Sequence, residues 1–158
     1  MNRSGFGFDL HPLVAGRPLV LGGVTMESEL GLAGHSDADV LSHAIGEALL
    51  GALALGDLGR HFPDTDPRYR GLSSLTLLEH VMAMLGERGA RLVNVDATVL
   101  AQAPRLAPRL PEMAKRLADV LGVDVGMVSV KAKSPEGLGL VGRREGIAAM
   151  AVVSVEVP

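Results

Sequence analysis

The chain has no cysteine and no tryptophan, and its only aromatic residues are three phenylalanines and one tyrosine. Without thiols there are no disulfides and no thiolate metal sites, so any metal must be held by imidazole and carboxylate. The five histidines are therefore worth following one by one. Basic charge is also scarce: 15 Lys and Arg against 18 Asp and Glu leave a net charge of −3. With no basic field and almost no stacking platforms, nucleic acid is excluded as a partner. No apolar run approaches the ~20 residues of a membrane span, and no stretch reads as a charged and apolar leader. No membrane partner is expected, and the expected location is cytoplasmic.

What is present is a chain of 158 residues, 47% of them apolar. A chain of roughly 150 residues buries about two thirds of its unfolded surface, so residues 1–158 are expected to form a single domain. So apolar a composition also points to surface hidden in an oligomer.

Hydrophobic periodicity orders the elements. The stretch "SGFGFDLHPL" alternates as a strand, with Phe6, Phe8 and Leu10 on one face and Gly5, Gly7, Asp9 and His11 on the other. "LVAGRP" is a turn and "PLVLGG" a short second strand, which together predict an N-terminal hairpin. Val40, Leu41, Ala44, Ile45, Ala48, Leu49 and Ala52 then recur at helix spacing, with Ser36 or Asp37 as the expected N-cap and an end near Gly56. "GDLGRHFPDTDPRYRG" is too rich in Gly, Pro and Asp for regular structure and long for a connector, which favours a binding loop. A second helix is predicted from Ser73 to about Arg88, a strand over 91–100 with Val93, Val95, Ala97 and Val99 on one face, and a third helix over Glu112–Leu121. "GMVSVKAK" and "IAAMAVVSVEV" are strands joined by a Gly-rich loop too short for a helical crossover. The expected class is α/β of the α+β type: a mixed four-stranded sheet covered on one face by helices, with the extra N-terminal hairpin.

Several of these segments carry chemistry. A helical wheel puts His43 on one stripe with Ser36, Asp39 and Glu47, which by itself reads as a solvated polar face. If that stripe met Asp9 and His11, two imidazoles and one carboxylate would make the ligand set of a zinc site with an open fourth position. His35 and Ser36 precede a helix, where free N–H groups suit a phosphate, although for Ser36 alone ordinary capping is the better explanation. Asp57, Asp64 and Asp66 suit Asx turns or ribose hydroxyls. His61 reads as surface, and His80 is given no role. Lys131, Lys133, Ser134 and Glu136 gather at a strand end, either as a solvated hairpin tip or as a charge-stabilising and cation-binding group. Arg143, Arg144 and Glu145 could form an intersubunit ion pair or an anion site.

Taken together, "GFGFDLHPL", "GLAGHSDADVLSHAIGEALLGALALGDLGRHFPDTDP", "NVDATVLAQAPR" and "VKAKSPEGLGLVGRREGIA" resemble the 2-C-methyl-D-erythritol 2,4-cyclodiphosphate synthase family over nearly the whole chain. The resemblance implies a homotrimer with active sites at the subunit interfaces. The implied reaction converts 4-diphosphocytidyl-2-C-methyl-D-erythritol 2-phosphate into the cyclic diphosphate with release of CMP, in non-mevalonate isoprenoid biosynthesis. It implies Zn2+ or another divalent ion on Asp9, His11 and His43, and transition-state stabilisation by His35 and Ser134. It further implies Mg2+ or Mn2+ on Glu136, bridging the substrate diphosphate.

Leu10, Ser36, Asp57, Leu58 and Gly59 fall on substrate contacts of the family, together with the three metal ligands and His35. Phe62, Pro63, Asp64, Thr65 and Asp66 fall on the loop that closes over the erythritol. Ala101, Gln102, Ala103, Pro104, Arg105, Leu106 and Ala107 match the cytidine pocket with Lys133, Ser134 and Pro135, and Leu140 and Arg143 match further substrate positions. The chain departs from the family pattern at Lys133 and Pro135, where threonines are common, and at Arg105, where a lysine is common. It departs again at Phe6, often a histidine, and at Leu140, often a phenylalanine. Two other readings stay open on the sequence: a trimeric binding module pinned together by its metal, and a metallo-phosphohydrolase.

Overall fold

A computed structural model describes residues 1–158. The first half contains β1 (Asn2–Ala15), β2 (Leu19–Leu21), β3 (Val24–Met26), β4 (Leu30–Leu32), α1 (Val40–Ala52) and the short α2 (Leu58–His61). The second half adds α3 (Ser74–Gly86), β5 (Arg91–Leu100), α4 (Leu110–Leu121), β6 (Val128–Lys133), the single turn α5 (Gly139–Gly142) and β7 (Gly146–Glu156). No helix is long and apolar enough to cross a membrane.

The main sheet has five strands in the order β4-β1-β7-β5-β6, one more than the four expected. The extra strand is β4, whose three residues are too few to show an alternation in sequence. β5 and β6 run parallel, with α4 as the crossover between them, and the other pairs are antiparallel, so the sheet is mixed as anticipated. The N-terminal hairpin exists with a different partner from the one expected. β2 pairs with β3, not with β1, because Gly22 and Gly23 (φ 56° and 73°) make the two-residue turn that folds β2 straight back. β1 pairs instead with β4 and with the full length of β7.

Helices cover one face of the sheet. On that face lie Val95, Ala97 and Val99 of β5 and Ile147, Ala149, Ala151 and Val153 of β7, all buried. Leu41, Ile45 and Leu49 of α1 are fully buried against them, each contributing about 1.5–3 kcal/mol of burial. A bulge between Leu92 and Asn94 turns Leu92 inward in place of the expected Val93. Helix α1 begins later than predicted: Asp39, not Ser36 or Asp37, is its N-cap, accepting from Ser42 N–H. It also ends at Ala52, well before Gly56, where the chain enters left-handed backbone at Ala54 (φ 57°). Helix α3, expected from Ser73 to about Arg88, runs from Ser74 to Gly86 with Ser73 as its N-cap.

The contact between β1 and α1 decides where the functional groups go. A Cβ at Gly5 would lie 1.8 Å from the Ala48 carbonyl oxygen, and one at Gly7 1.9 Å from that of Ala44. Both positions must be glycine for the helix backbone to rest on the strand. The next two residues on the same strand face are Asp9 and His11.

Candidate metal centre

Asp9 and His11 leave β1 on its glycine face, and His43 comes down from α1 one turn after the cap, its N–H donating to the Asp39 carbonyl. Close packing of strand and helix joins them. Asp9 Oδ2 lies 2.8 Å from His11 Nε2 and 3.0 Å from His43 Nδ1, and the two ring nitrogens are 3.1 Å apart. Leu10 N–H donates to the other Asp9 oxygen, leaving Oδ2 to the cluster. Burial disfavours the Asp9 carboxylate, but hydrogen bonds and charge from His11 and His43 outweigh it and hold the carboxyl well below the usual range. Burial likewise disfavours charge on His11, and the Asp9 bond and charge overcome it and raise the His11 pKa.

These three tips fit a metal ion. A tetrahedral ion with bonds of about 2.0–2.1 Å spaces neighbouring ligand atoms about 3.3 Å apart, a few tenths of an ångström beyond the separations found. Each outer ring nitrogen also has a partner: His11 Nδ1 donates to the Ala33 carbonyl at 2.8 Å, and His43 Nε2 sits 2.8 Å from Ser74 Oγ. Asp9, His11 and His43 form the group without a fourth side chain, the pattern of a site with an open position.

The polar stripe of α1 is not solvated as a unit. Asp39 is fully buried and accepts from Gly22 N–H (2.9 Å), Gly23 N–H (2.8 Å), Ser42 N–H and Ser42 Oγ–H. Burial raises its pKa against the pull of those backbone donors. At this helix N-terminus the Ser42 N–H is taken by the chain's own carboxylate. Asp39 also ties α1 to the β2–β3 turn.

A cleft of about 280 Å³ opens over the metal group, and Asp9, His11, His35, Ser36, His43, Leu58, Gly59, Phe62 and Asp64 all line it. Arg17 holds the near wall by donating to the carbonyls of Gly34 and Ser36, and His35 Nε2 donates to the Asp66 carbonyl across the mouth. Thr65 sits at that mouth with His35 and Asp64. Asp57 and Asp66 make the expected Asx caps, on Arg60 N–H and Arg68 N–H. Phe62 packs edge-on to Tyr69, so the 58–66 segment and Pro63 within it form a folded wall.

The remaining candidates lie elsewhere on the chain. Ala101, Gln102, Pro104, Arg105, Leu106, Ala107, Lys133 and Ser134 line a second cleft, of about 250 Å³, which borders the cis Ala103–Pro104 peptide. Gln102 Oε1 accepts from Gly137 N–H, fastening this cleft to the Gly-rich loop. Glu136 is exposed, and neither it nor Ser134 is among the groups lining the metal cleft. Leu10 and Leu140 share a shallow depression with His11, and Arg143 pairs with Glu145. Lys131 reaches across to Asp96 at 2.8 Å, which makes it part of a solvated strand end.

Sequence reasoning missed Ser74, Arg17, Tyr69 and the functional placement of Glu47. Glu47, one helical turn beyond His43, also lines the metal cleft, and its position on the same stripe was the available signal. Ser74 and Arg17 gave none, since each acts on residues far away in sequence.

The profile of the YgbB family matches residues 2–156. A protein of Desulfitobacterium hafniense named 2-C-methyl-D-erythritol 2,4-cyclodiphosphate synthase is 58% identical over 153 residues, 97% of each chain. A solved structure of a 2C-methyl-D-erythritol-2,4-cyclodiphosphate synthase in a CDP-bound form aligns with a TM-score of 0.90 at 36% identity, over 98% of this chain and 100% of that one. The bifunctional IspDF of Campylobacter jejuni aligns with a TM-score of 0.96 at 39% identity, over 100% of this chain and 43% of the longer one. A match running from the second residue almost to the last takes in both the sheet and the three ligand residues, and on that footing the chain belongs to the YgbB family.

Proposed function

We propose that the chain is a metal-dependent cyclase that converts 4-diphosphocytidyl-2-C-methyl-D-erythritol 2-phosphate into 2-C-methyl-D-erythritol 2,4-cyclodiphosphate and CMP. The observation that carries the reading is the convergence of Asp9, His11 and His43 at the floor of a cleft walled by the 58–66 segment. In the reaction an oxygen of the 2-phosphate bonds to the phosphorus on the erythritol 4-oxygen, and the bond from that phosphorus to the bridging oxygen breaks. That oxygen leaves with CMP. The nucleophile and the electrophile belong to one substrate, so the protein's task is to fold the substrate into an attack geometry and to balance its charge. Orientation alone can supply about 7–11 kcal/mol.

Asp9, His11 and His43 would hold Zn2+ or another divalent ion, which when bound supplies positive charge to phosphoryl oxygens. His35, on the cleft wall, and Ser134 are assigned to contacts with the phosphate groups, and Glu136 to a Mg2+ or Mn2+ on the diphosphate. Gly59, Phe62 and Asp64, with their neighbours, enclose the erythritol. The second cleft, from Ala101 to Ala107 with Lys133, takes the cytidine, in keeping with CDP in the related structure.

The enzyme is proposed to be a cytoplasmic homotrimer with one domain per protomer. Two observations support the assembly. The cytidine cleft and the metal cleft have no lining residue in common, which supports a second copy as the one that brings Ser134 and Glu136 over the metal group. The uncovered face of the sheet also exposes Phe6, Phe8, Leu10 and Val152 together. Phosphorus NMR of the protein incubated with the cytidylyl substrate tests the reading. The cyclic diphosphate and CMP should form in equal amounts. Orthophosphate release would point to a phosphohydrolase, and binding without turnover to a metal-pinned module.

A further inference from the structure

Behind His43 lies a chain of polar groups that the cyclisation reading leaves unused. Ser74, the first residue of α3, is fully buried, and its hydroxyl is hydrogen-bonded to Asp37 Oδ1. Asp37 is itself fixed, with Oδ2 accepting from Ser74 N–H at 3.0 Å and Oδ1 from Asp39 N–H at 3.1 Å. On its other side Ser74 Oγ is 2.8 Å from His43 Nε2, while Ser36 Oγ, which already accepts from Ala38 N–H, is farther away at 3.2 Å.

A serine hydroxyl has one proton. An ionised carboxylate accepts only, so the Ser74 proton goes to Asp37, and Ser74 can meet the imidazole only as an acceptor. The ring must then carry a hydrogen on Nε2, so that in the neutral form a metal ligand needs, the lone pair lies on Nδ1, aimed at Asp9 and His11. The Ala33 carbonyl sets His11 in the same way, with a hydrogen on Nδ1, so that its ligating lone pair lies on Nε2. With a cation bound, three lone pairs face one point, and without it the two imidazoles hydrogen-bond to Asp9 instead.

We infer that Asp37 and Ser74 are positioning residues that set the tautomer of His43 and thereby the metal affinity of the site. The relay runs from the first turn of α3 through Ser74 to the ligand on α1. This inference rests on the metal-site part of the reading above and does not depend on which reaction follows.

The test uses the full-length protein and Zn2+ alone, titrated in competition with a chromophoric chelator. Ser74→Ala and Asp37→Asn should each weaken zinc binding about ten- to a hundredfold. Ser74→Thr, which keeps the hydroxyl, should stay within about threefold of the starting protein. In the zinc-loaded protein, the His43 Nε2–H should give a hydrogen-bonded proton resonance slow to exchange with water, and Ser74→Ala should lose it. If Ser74→Ala fails to fold, Asp37→Asn and the Nε2–H resonance of the unsubstituted protein still decide the matter. Unchanged zinc affinity in both variants, equal losses in Ser74→Thr and Ser74→Ala, or a rapidly exchanging His43 Nε2–H would overturn the relay alone. No zinc binding by the unsubstituted protein would overturn the metal site and the relay with it.

Discussion

The two faces of β1 have opposite fates. On one face Gly5 and Gly7 are buried beneath α1, and Asp9 and His11 continue that line into the metal group. On the other, Phe6, Phe8 and Leu10 stand 64%, 52% and 40% exposed beside Val152 of β7. The usual rule would bury the phenylalanines. Here the missing side chains are what let a helix backbone press against the strand, and the large apolar ones are left exposed on the protomer. One face carries the candidate ligand set, and the other is the one the proposed assembly would cover.

Substitutions on each face should separate these roles. The largest effect is expected for Gly7→Val, whose Cβ would meet the Ala44 carbonyl, a backbone atom that cannot turn aside. Overpacking of this kind should cost upwards of about 3 kcal/mol and remove zinc binding along with it, as read by thermal unfolding and metal titration. A stable, zinc-binding Gly7→Val protein would show that the close approach is dispensable. Next is His43→Ala, which should leave the far-ultraviolet spectrum intact while turnover of the cytidylyl substrate falls by roughly 10³-fold or more. On the opposite face, Phe8→Asp should leave the protomer folded, its own stability changing by about 0.5 kcal/mol or less, yet shift the sedimenting mass from trimer to protomer. An unchanged mass would sever that face from assembly. The smallest effect is expected away from the apolar patch, at Lys131→Ala. Its partner Asp96 is half-exposed, so urea denaturation should move by about 0.2–1 kcal/mol.

What could be read from the sequence divides along the same line. Alternation over residues 5–11 put Asp9 and His11 on the glycine face, and helix spacing put His43 with Glu47 on one stripe, because those patterns are local. Resemblance, not periodicity, joined the strand to the helix. Gly5 and Gly7 hinted at a close approach without saying to what. The Asp39 cap on Ser42 N–H is local but was masked by the nearby Ser36 and Asp37, and its bonds to Gly22 and Gly23 were missed because that turn lies well before it in the chain. Ser74 was missed for the same reason, since nothing around it signals a histidine on another helix. The pairing of β2 depended on a two-glycine turn that the eye passes over in favour of the longer neighbouring strand. Glu136 and Ser134 lie away from the metal cleft, so the roles proposed for them depend on the proposed second copy.

The most direct test of the account is the zinc stoichiometry of the purified chain, measured by elemental analysis together with competition titration, for the starting protein and for Asp9→Ala, His11→Ala and His43→Ala. One ion per chain is expected, and each substitution should abolish tight binding while the fold persists. Tight binding that survives the loss of any one of the three, or no binding at all by the starting protein, would contradict it.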